Sequence, residues 1–180
     1  LMFWWNSRIL NEQVSPVGIP EDYLSQAGKV PEVSAPDKYT WVFEYPDPNP
    51  NLLNHLAGPP WNHNLSPSPK HYLKQFHKDY ADPDELQEKV QEAGFDEWYQ
   101  LFDSKLGITQ EGGIMNPELP TLYPWVIKTG PQSNLRVAER NPYYWKVDTE
   151  GNQLPYIKGF KWTHISDPEV KMMKAMNGEI

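Results

Sequence analysis

The chain has 180 residues and contains no cysteine, so disulfide bonds and thiolate metal sites are both excluded. It also lacks a long apolar run. The longest apolar cluster is Leu1 to Trp5, whereas a membrane-spanning helix needs roughly 18 consecutive apolar residues. These two absences predict a water-soluble chain. A chain without cysteine suits an exported protein, although many cytosolic proteins also lack cysteine.

Positive charge is in short supply as well. The chain carries 16 Lys and Arg against 24 Asp and Glu, for a formal net charge of −8. Binding to nucleic-acid phosphates needs clustered basic residues, and this composition argues against such a partner. The strongest basic cluster is Lys70, Lys74 and Lys78, whose spacing of four is typical of one solvated helix face.

The usual signatures of catalysis are missing too. Gly112-Gly113 and Gly130-Pro131 lack the spacing and the following Lys-Ser/Thr of a phosphate-binding loop, and no serine-hydrolase elbow or His-Glu-x-x-His pattern occurs. The histidine spacings favour surface or hydrogen-bonded side chains over a metal site. His55 and His63 are eight residues apart, and His71 and His77 are six residues apart. The sequence therefore predicts no catalytic residue, no metal and no cofactor.

Prolines are abundant, at 19 in the chain, and several stand where helices begin. Each follows a capping residue and precedes an apolar stripe at helical spacing. These starts are Asn49-Pro50, Ser68-Pro69, Asp82-Pro83 and Asp167-Pro168. A further helix is predicted over Asp96 to Lys105, and Leu1 to Asn11 is predicted to be the tail of another.

Three segments have strand character. Tyr39 to Tyr45 alternates, with four aromatic side chains on one side, and Leu135 to Glu139 and Phe160 to Ile165 are two more candidate strands. The prediction is a mixed α/β (α+β) chain. A connector rich in Gly and Pro at Glu111 to Pro124 suggests a division into a helix-rich part, residues 1–120, and a part with strand, aromatic turn, strand and helix, residues 121–180.

The eight tryptophans are the natural candidates for a ligand wall, although burial is their usual role. The tryptophans predicted to lie in the core are Trp41, Trp98, Trp145 and Trp162. Trp61, in a proline-flanked loop, and Trp125, which follows Tyr123-Pro124, are less constrained by periodicity. These two are weak candidates for ligand-binding residues.

Four ordered motifs carry a family resemblance. Arg140 to Ile157 reads Arg-Asn-Pro-Tyr-Tyr-Trp-Lys-Val-Asp-Thr-Glu-Gly-Asn-Gln-Leu-Pro-Tyr-Ile, and it joins two predicted strands. The other motifs are Asp37 with Tyr39 to Pro50, Ser68 to His77, and Met172 to Ile180, which ends in Met-Asn-Gly-Glu-Ile. Together they resemble the extracellular solute-binding proteins of family 5, the peptide/nickel/oligosaccharide receptors of ABC importers.

Two positions depart from the family pattern. Lys158 stands where the family commonly has Asp, and the usual Gly-Thr-Gly-Pro-Tyr is reduced to Thr129-Gly130-Pro131-Gln132. Both departures concern local turns.

The resemblance implies a two-lobed α/β receptor in which this chain is an internal fragment. Residues 1–120 would belong to the small extra lobe and its connector, and residues 121–180 to the first main lobe. The implied function is to bind oligopeptides or oligosaccharides in an inter-lobe cleft, without turnover, and to deliver them to permease subunits. The implied location is periplasmic or extracellular, with any signal peptide or lipid anchor outside this segment.

Two alternatives come from other classes. Tryptophan richness and acidity also suit a secreted carbohydrate-active hydrolytic domain, but a glycosidase needs a placed pair of carboxylates, and the acidic pairs here open helices. A purely structural module is the other alternative. We expect the segment 140–157 to be a rigid connection between two strands of the first main lobe, with its aromatic side chains packed.

Overall fold

A computed structural model describes residues 1–57, 68–107, 115–130 and 132–179. The chain forms two compact units, Leu1–Ile114 and Met115–Ile180. Helices and strands occur in both, which confirms the mixed α/β prediction. Among the described residues, none of the helices combines the length and the apolar character needed to cross a bilayer.

The first unit is built around its N-terminal helix. Helix α1, Met2–Trp4, continues as a π-helical turn, Trp5–Ile9. Trp4 and Trp5 are 1% and 2% exposed, and both contact the ring of Tyr23, from the 3-10 helix Glu21–Tyr23. Large apolar side chains in one short helical stretch thus supply the core, because their burial removes the most apolar area from water.

A small antiparallel hairpin closes this core. Strand β1, Glu32–Ser34, pairs with β2, Val42–Glu44. Trp41 and Phe43 pack against the buried cluster from the β2 side. The single strand predicted over Tyr39 to Tyr45 is therefore shortened, and β1 is an addition that the sequence pattern did not indicate.

The shortening has a local cause. The Asp37 carboxylate accepts hydrogen bonds from the Tyr39 and Thr40 amides, at 2.7 and 2.8 Å, and from the Thr40 hydroxyl at 2.8 Å. These bonds hold the chain in a turn instead of a strand. The side chain of Tyr39 is 90% exposed as a result, so its predicted place on the aromatic face is wrong.

The first unit also contains short helices. They are α2, Leu52–Ala57; α3, Lys70–Leu73, extended by a 3-10 turn, Lys74–Phe76; α4, Pro83–Glu92; and α5, Trp98–Leu106.

The predicted cap at Asp82 is confirmed, since its carboxylate accepts hydrogen bonds from the Asp84 and Glu85 amides. The helix predicted after Ser68-Pro69 ends earlier than its apolar spacing indicated. His77 is extended, with φ −118° and ψ 128°, so Tyr80 lies beyond the helix.

The second unit contains a three-stranded antiparallel sheet in the order β3-β4-β5. Its strands are β3, Trp125–Ile127; β4, Leu135–Arg140; and β5, Gly159–Thr163. Helix α6, Pro168–Met176, follows, capped by Asp167 as predicted, and none of its residues is buried. The two predicted strands are confirmed as β4 and β5, whereas β3 was not predicted.

Candidate functional site

Trp125, one of the two ligand candidates, begins the edge strand β3 and is half-buried. Its indole Nε1 donates to the Ile157 carbonyl at 3.3 Å, and its ring meets Phe160 edge-on at 5.3 Å. These contacts fix the indole against β5 and against the end of the connection that joins β4 to β5, residues 141–157. A ligand-facing role for Trp125 stays a prediction, and Trp61 lies outside the described residues.

The connection between β4 and β5 is organised by Asp148. Its carboxylate accepts from the Glu150 and Asn152 amides at 2.9 and 2.8 Å, from the Asn152 side chain at 2.9 Å, and from the Tyr156 hydroxyl at 2.5 Å. The hydrogen bond from Tyr156 is the largest of the causes that lower the pKa of Asp148 to about 2. The Asp-Thr-Glu-Gly-Asn stretch is thus a polar turn held by hydrogen bonds between its own residues.

Two amide side chains anchor the rest of the connection. Gln153 Nε2 donates to the Pro142 and Tyr144 carbonyls at 2.7 and 2.8 Å. Asn141, only 3% exposed, donates through Nδ2 to the Thr121 and Tyr123 carbonyls at 3.0 and 2.9 Å. These bonds tie the connection to itself and to the segment that precedes β3, so its shape is set by polar contacts.

The aromatic side chains of the connection are not packed, which corrects the prediction. Trp145 is 68% exposed and Tyr143 is 88% exposed, while Tyr144 is half-buried. The physical reason is that hydrogen bonds to the Asp148 carboxylate and from the Gln153 and Asn141 side chains already hold the backbone, so the loop keeps its shape without burying its rings. A sequence pattern rich in aromatics cannot distinguish these two ways of ordering a loop.

Trp162 also departs from its predicted core position. It is 38% exposed and stacks on Phe160, with ring centroids 5.2 Å apart. It lines an open groove of about 600 Å³ between β5 and α6. The charged side chains lining this groove are Lys161, Lys171 and Glu179, beside His164. An indole face next to ammonium groups can contact a planar or ring-shaped solute and also a polar or anionic group on it.

The histidines occupy different environments. His71 is exposed, whereas His77 is 0% exposed and its Nδ1 accepts from the Asp79 amide at 3.2 Å. His63 and the side chain of His55 lie outside the described residues. Across the described ranges, no three His, Asp or Glu side chains are grouped closely enough to hold a metal ion.

Comparison with known proteins agrees with the family resemblance of the motifs. No family model matches the chain. The chain is 31% identical, over 186 residues, to the periplasmic alpha-galactoside-binding protein of Rhizobium meliloti strain 1021, and the match covers 100% of this chain and 22% of that protein.

Two solved structures have the same backbone arrangement. The oligopeptide-binding protein OppA is 37% identical, with a TM-score of 0.79, over 99% of this chain and 26% of its own. The periplasmic binding protein MelB of Agrobacterium fabrum C58, solved in complex with stachyose, is 26% identical, with a TM-score of 0.65, over 98% of this chain and 23% of its own.

These relatives are all binding proteins of the periplasmic class, and they confirm the resemblance read from the motifs. The chain is related over its whole length to solute-binding proteins of the family 5 type, and its mixed α/β fold matches about a quarter of the chains of OppA and MelB. It spans 22% to 26% of the length of these relatives.

Proposed function

We propose that the protein is the solute-binding component of an ABC importer, taking oligopeptides or oligosaccharides into a cleft between lobes and delivering them to permease subunits. The observation that carries this proposal is the similarity over 98% to 100% of the chain to binding proteins for such solutes. In backbone shape it is stronger for OppA, with a TM-score of 0.79, than for MelB, with 0.65. The names of the relatives favour both solute classes, because they include an alpha-galactoside receptor, an oligopeptide receptor and a complex with stachyose.

In this proposal the protein binds its solute without turnover. Ligand buried between two lobes stabilises the closed form, and the permease recognises that form. Residues 1–120 would belong to the small extra lobe and residues 121–180 to the first main lobe. The protein would work in the periplasm or outside the cell, where a permease can receive the solute.

Calorimetric titration distinguishes the proposal from its alternatives. The longest form encoded by the gene should be titrated with stachyose and with a mixed set of tetrapeptides, and each ligand should be recovered afterwards and analysed. We expect saturable binding of one solute class with the ligand unchanged. Cleavage of stachyose would instead support the carbohydrate-active alternative, and the absence of binding to either class would support a purely structural module.

The 180-residue chain alone should not bind either ligand tightly, because the resemblance places the charged groups that fix ligand termini in the other main lobe. Micromolar binding by this chain would contradict that assignment.

A matched pair of substitutions tests the candidate site at Trp125. Trp125→Phe keeps a ring against Phe160 but removes the Nε1 donor and part of the aromatic surface. Trp145→Phe makes the same chemical change at an exposed position. We expect the first variant to weaken solute binding and the second to leave it unchanged; equal affinities would remove Trp125 from the site.

A further inference from the structure

His77 lies at the centre of an aromatic cluster that joins parts of the first unit distant in sequence. Its ring is 0% exposed. Ring centroids of Phe3, Trp98 and Phe102 lie 6.1, 4.7 and 5.3 Å away, and that of Tyr80 lies 5.4 Å away. Phe3 belongs to α1, and Trp98 and Phe102 belong to α5, so this imidazole is a shared contact of the N-terminal helix and α5.

The hydrogen bond at Nδ1 fixes the form of the ring. Because Nδ1 accepts from the Asp79 amide at 3.2 Å, the hydrogen of the neutral ring is on Nε2. A second proton must therefore go to Nδ1. That proton removes the acceptor for the Asp79 amide and places a charge in a site closed to water, and both changes disfavour the packed arrangement.

Few charges oppose this effect. The Asp79 carboxylate lies 3.8 Å from Nδ1 but is 63% exposed, so water screens its attraction. Lys78, whose Nζ lies 5.5 Å from the Trp98 ring centroid, disfavours a charged imidazole, and the ammonium of Lys70 lies 4.7 Å from the Tyr80 ring centroid. A hydrogen bond with the Ser7 backbone favours the charged form of the His77 ring. Burial is the largest influence, and it lowers the pKa of His77 below 6.5.

We propose that His77 is an acid-sensitive latch: ionisation of its ring in mildly acidic solution breaks the aromatic cluster between α1 and α5 and loosens the first unit reversibly. The neutral ring packs as an aromatic spacer among four others. The charged ring must either leave the cluster for water or draw water into it. Either change weakens the packing of Phe3 against His77 and Phe102, which is one of the contacts that hold the N-terminal helix.

The direction of the effect follows from proton linkage. The pKa of His77 is lower in the folded chain than its ordinary value of 6.5, so the unfolded state binds more protons between those two values. Stability from this group is fully present above pH 6.5 and is lost as the pH falls through that window. One linked proton raises the unfolding equilibrium constant by up to about tenfold for each pH unit within the window.

Among the described residues, the carboxylates with shifted pKa values do not produce a loss of stability in this pH range. Asp37, Asp47 and Asp148 have lowered pKa values, so their contributions are lost only at pH values below the ordinary carboxyl range. The pKa of Asp103 is raised by burial, so its protonation on acidification acts in the opposite direction to that of His77. A loss of stability between pH 6.5 and 5 therefore has the sign expected for the imidazole.

Urea unfolding of the full chain at pH 7.5, 6.5, 5.5 and 5.0 tests the proposal. His71→Gln is the matched control, because that histidine is exposed and lies six residues before His77. We expect the wild type and His71→Gln to lose stability equally on acidification. His77→Gln should show no such loss. Asp79→Asn keeps the backbone amide but removes the carboxylate, so its loss should be larger than that of the wild type.

Titration of the His77 imidazole by NMR in the wild type decides the matter even if His77→Gln does not fold. Titration below pH 6.5, together with shifts of the Phe3 and Trp98 ring signals, supports the latch. Titration at or above pH 6.5 overturns it, as does a stability loss that is the same in His77→Gln and the wild type.

Discussion

Gly159 on β5 lies directly against the backbone of Ala138 on β4. A Cβ placed on Gly159 would be 2.5 Å from the Ala138 carbonyl oxygen and 3.3 Å from the Cα of Glu139. The two strands are paired over this stretch, with Glu139 opposite Gly159. The close approach therefore depends on the missing side chain, and the neighbouring atoms are backbone atoms that cannot rotate away.

Gly159→Ala should force the two strands apart at this pair. Overpacking of this kind costs about 1–3 kcal/mol of unfolding free energy. Urea denaturation followed by circular dichroism measures the loss. Gly130→Ala is the control, because a Cβ there meets no atom within 4 Å and its φ lies outside the left-handed region. Equal stability of both variants and the wild type would contradict the close packing at Gly159.

Trp4 and Trp145 should respond very differently to truncation. Trp4 is 1% exposed and contacts the rings of Trp5, Tyr23 and Trp41, so Trp4→Ala should cost about 3–5 kcal/mol. Trp145 is 68% exposed, and Trp145→Ala should change stability by no more than about 0.5 kcal/mol. Chemical denaturation of the two variants checks this difference. A large loss in Trp145→Ala would mean that the 141–157 connection is packed after all.

The Tyr156 hydroxyl should control the acidity of Asp148. Tyr156→Phe removes the strongest of the hydrogen bonds that lower the pKa of Asp148 to about 2, so this pKa should rise toward its ordinary value of 3.8. Carbon-13 NMR titration of the carboxyl group measures the change. Tyr143→Phe, in the same connection and 88% exposed, should leave it unaltered.

The pH dependence of stability follows from the same bond. The lowered pKa of folded Asp148 gives stability above the ordinary carboxyl range, which is lost as the pH falls toward 2. With the pKa of Asp148 closer to 3.8 in Tyr156→Phe, less stability should be lost as the pH falls from 3.8 toward 2. If the pKa of Asp148 stays near 2 in the variant, the Asn152 side chain and the backbone amides are the main cause of its acidity.

Local signals in the sequence proved the most predictive. The caps at Asp82 and Asp167 act on amides two and three residues ahead, and both helices begin where the caps indicate. Strands β4 and β5 were likewise recognisable from their own residues. By contrast, β1 is three residues long and exists because Phe43 and its neighbours pair with it, which is a relation between separate segments.

The candidate site was less predictable. Trp125 falls on an edge strand whose presence depends on pairing with Arg140 and its neighbours. The groove beside Trp162 needs both β5 and α6 to be in place. The sequence indicated tryptophans as ligand candidates by their chemistry, but the exposure of each depends on which other segments cover it.

The sequence by itself determined the class of protein, the mixed α/β content and the helix starts, because motifs and caps operate within a few residues. Only the tertiary structure decided which aromatic rings are buried. Trp4 and His77 are enclosed by residues distant in sequence, such as Trp41 near Trp4 and Phe3 near His77. Trp145 is left in solvent by a loop that hydrogen-bonds to itself. Burial is a property of the surfaces that meet, and no single stretch of chain contains both of them.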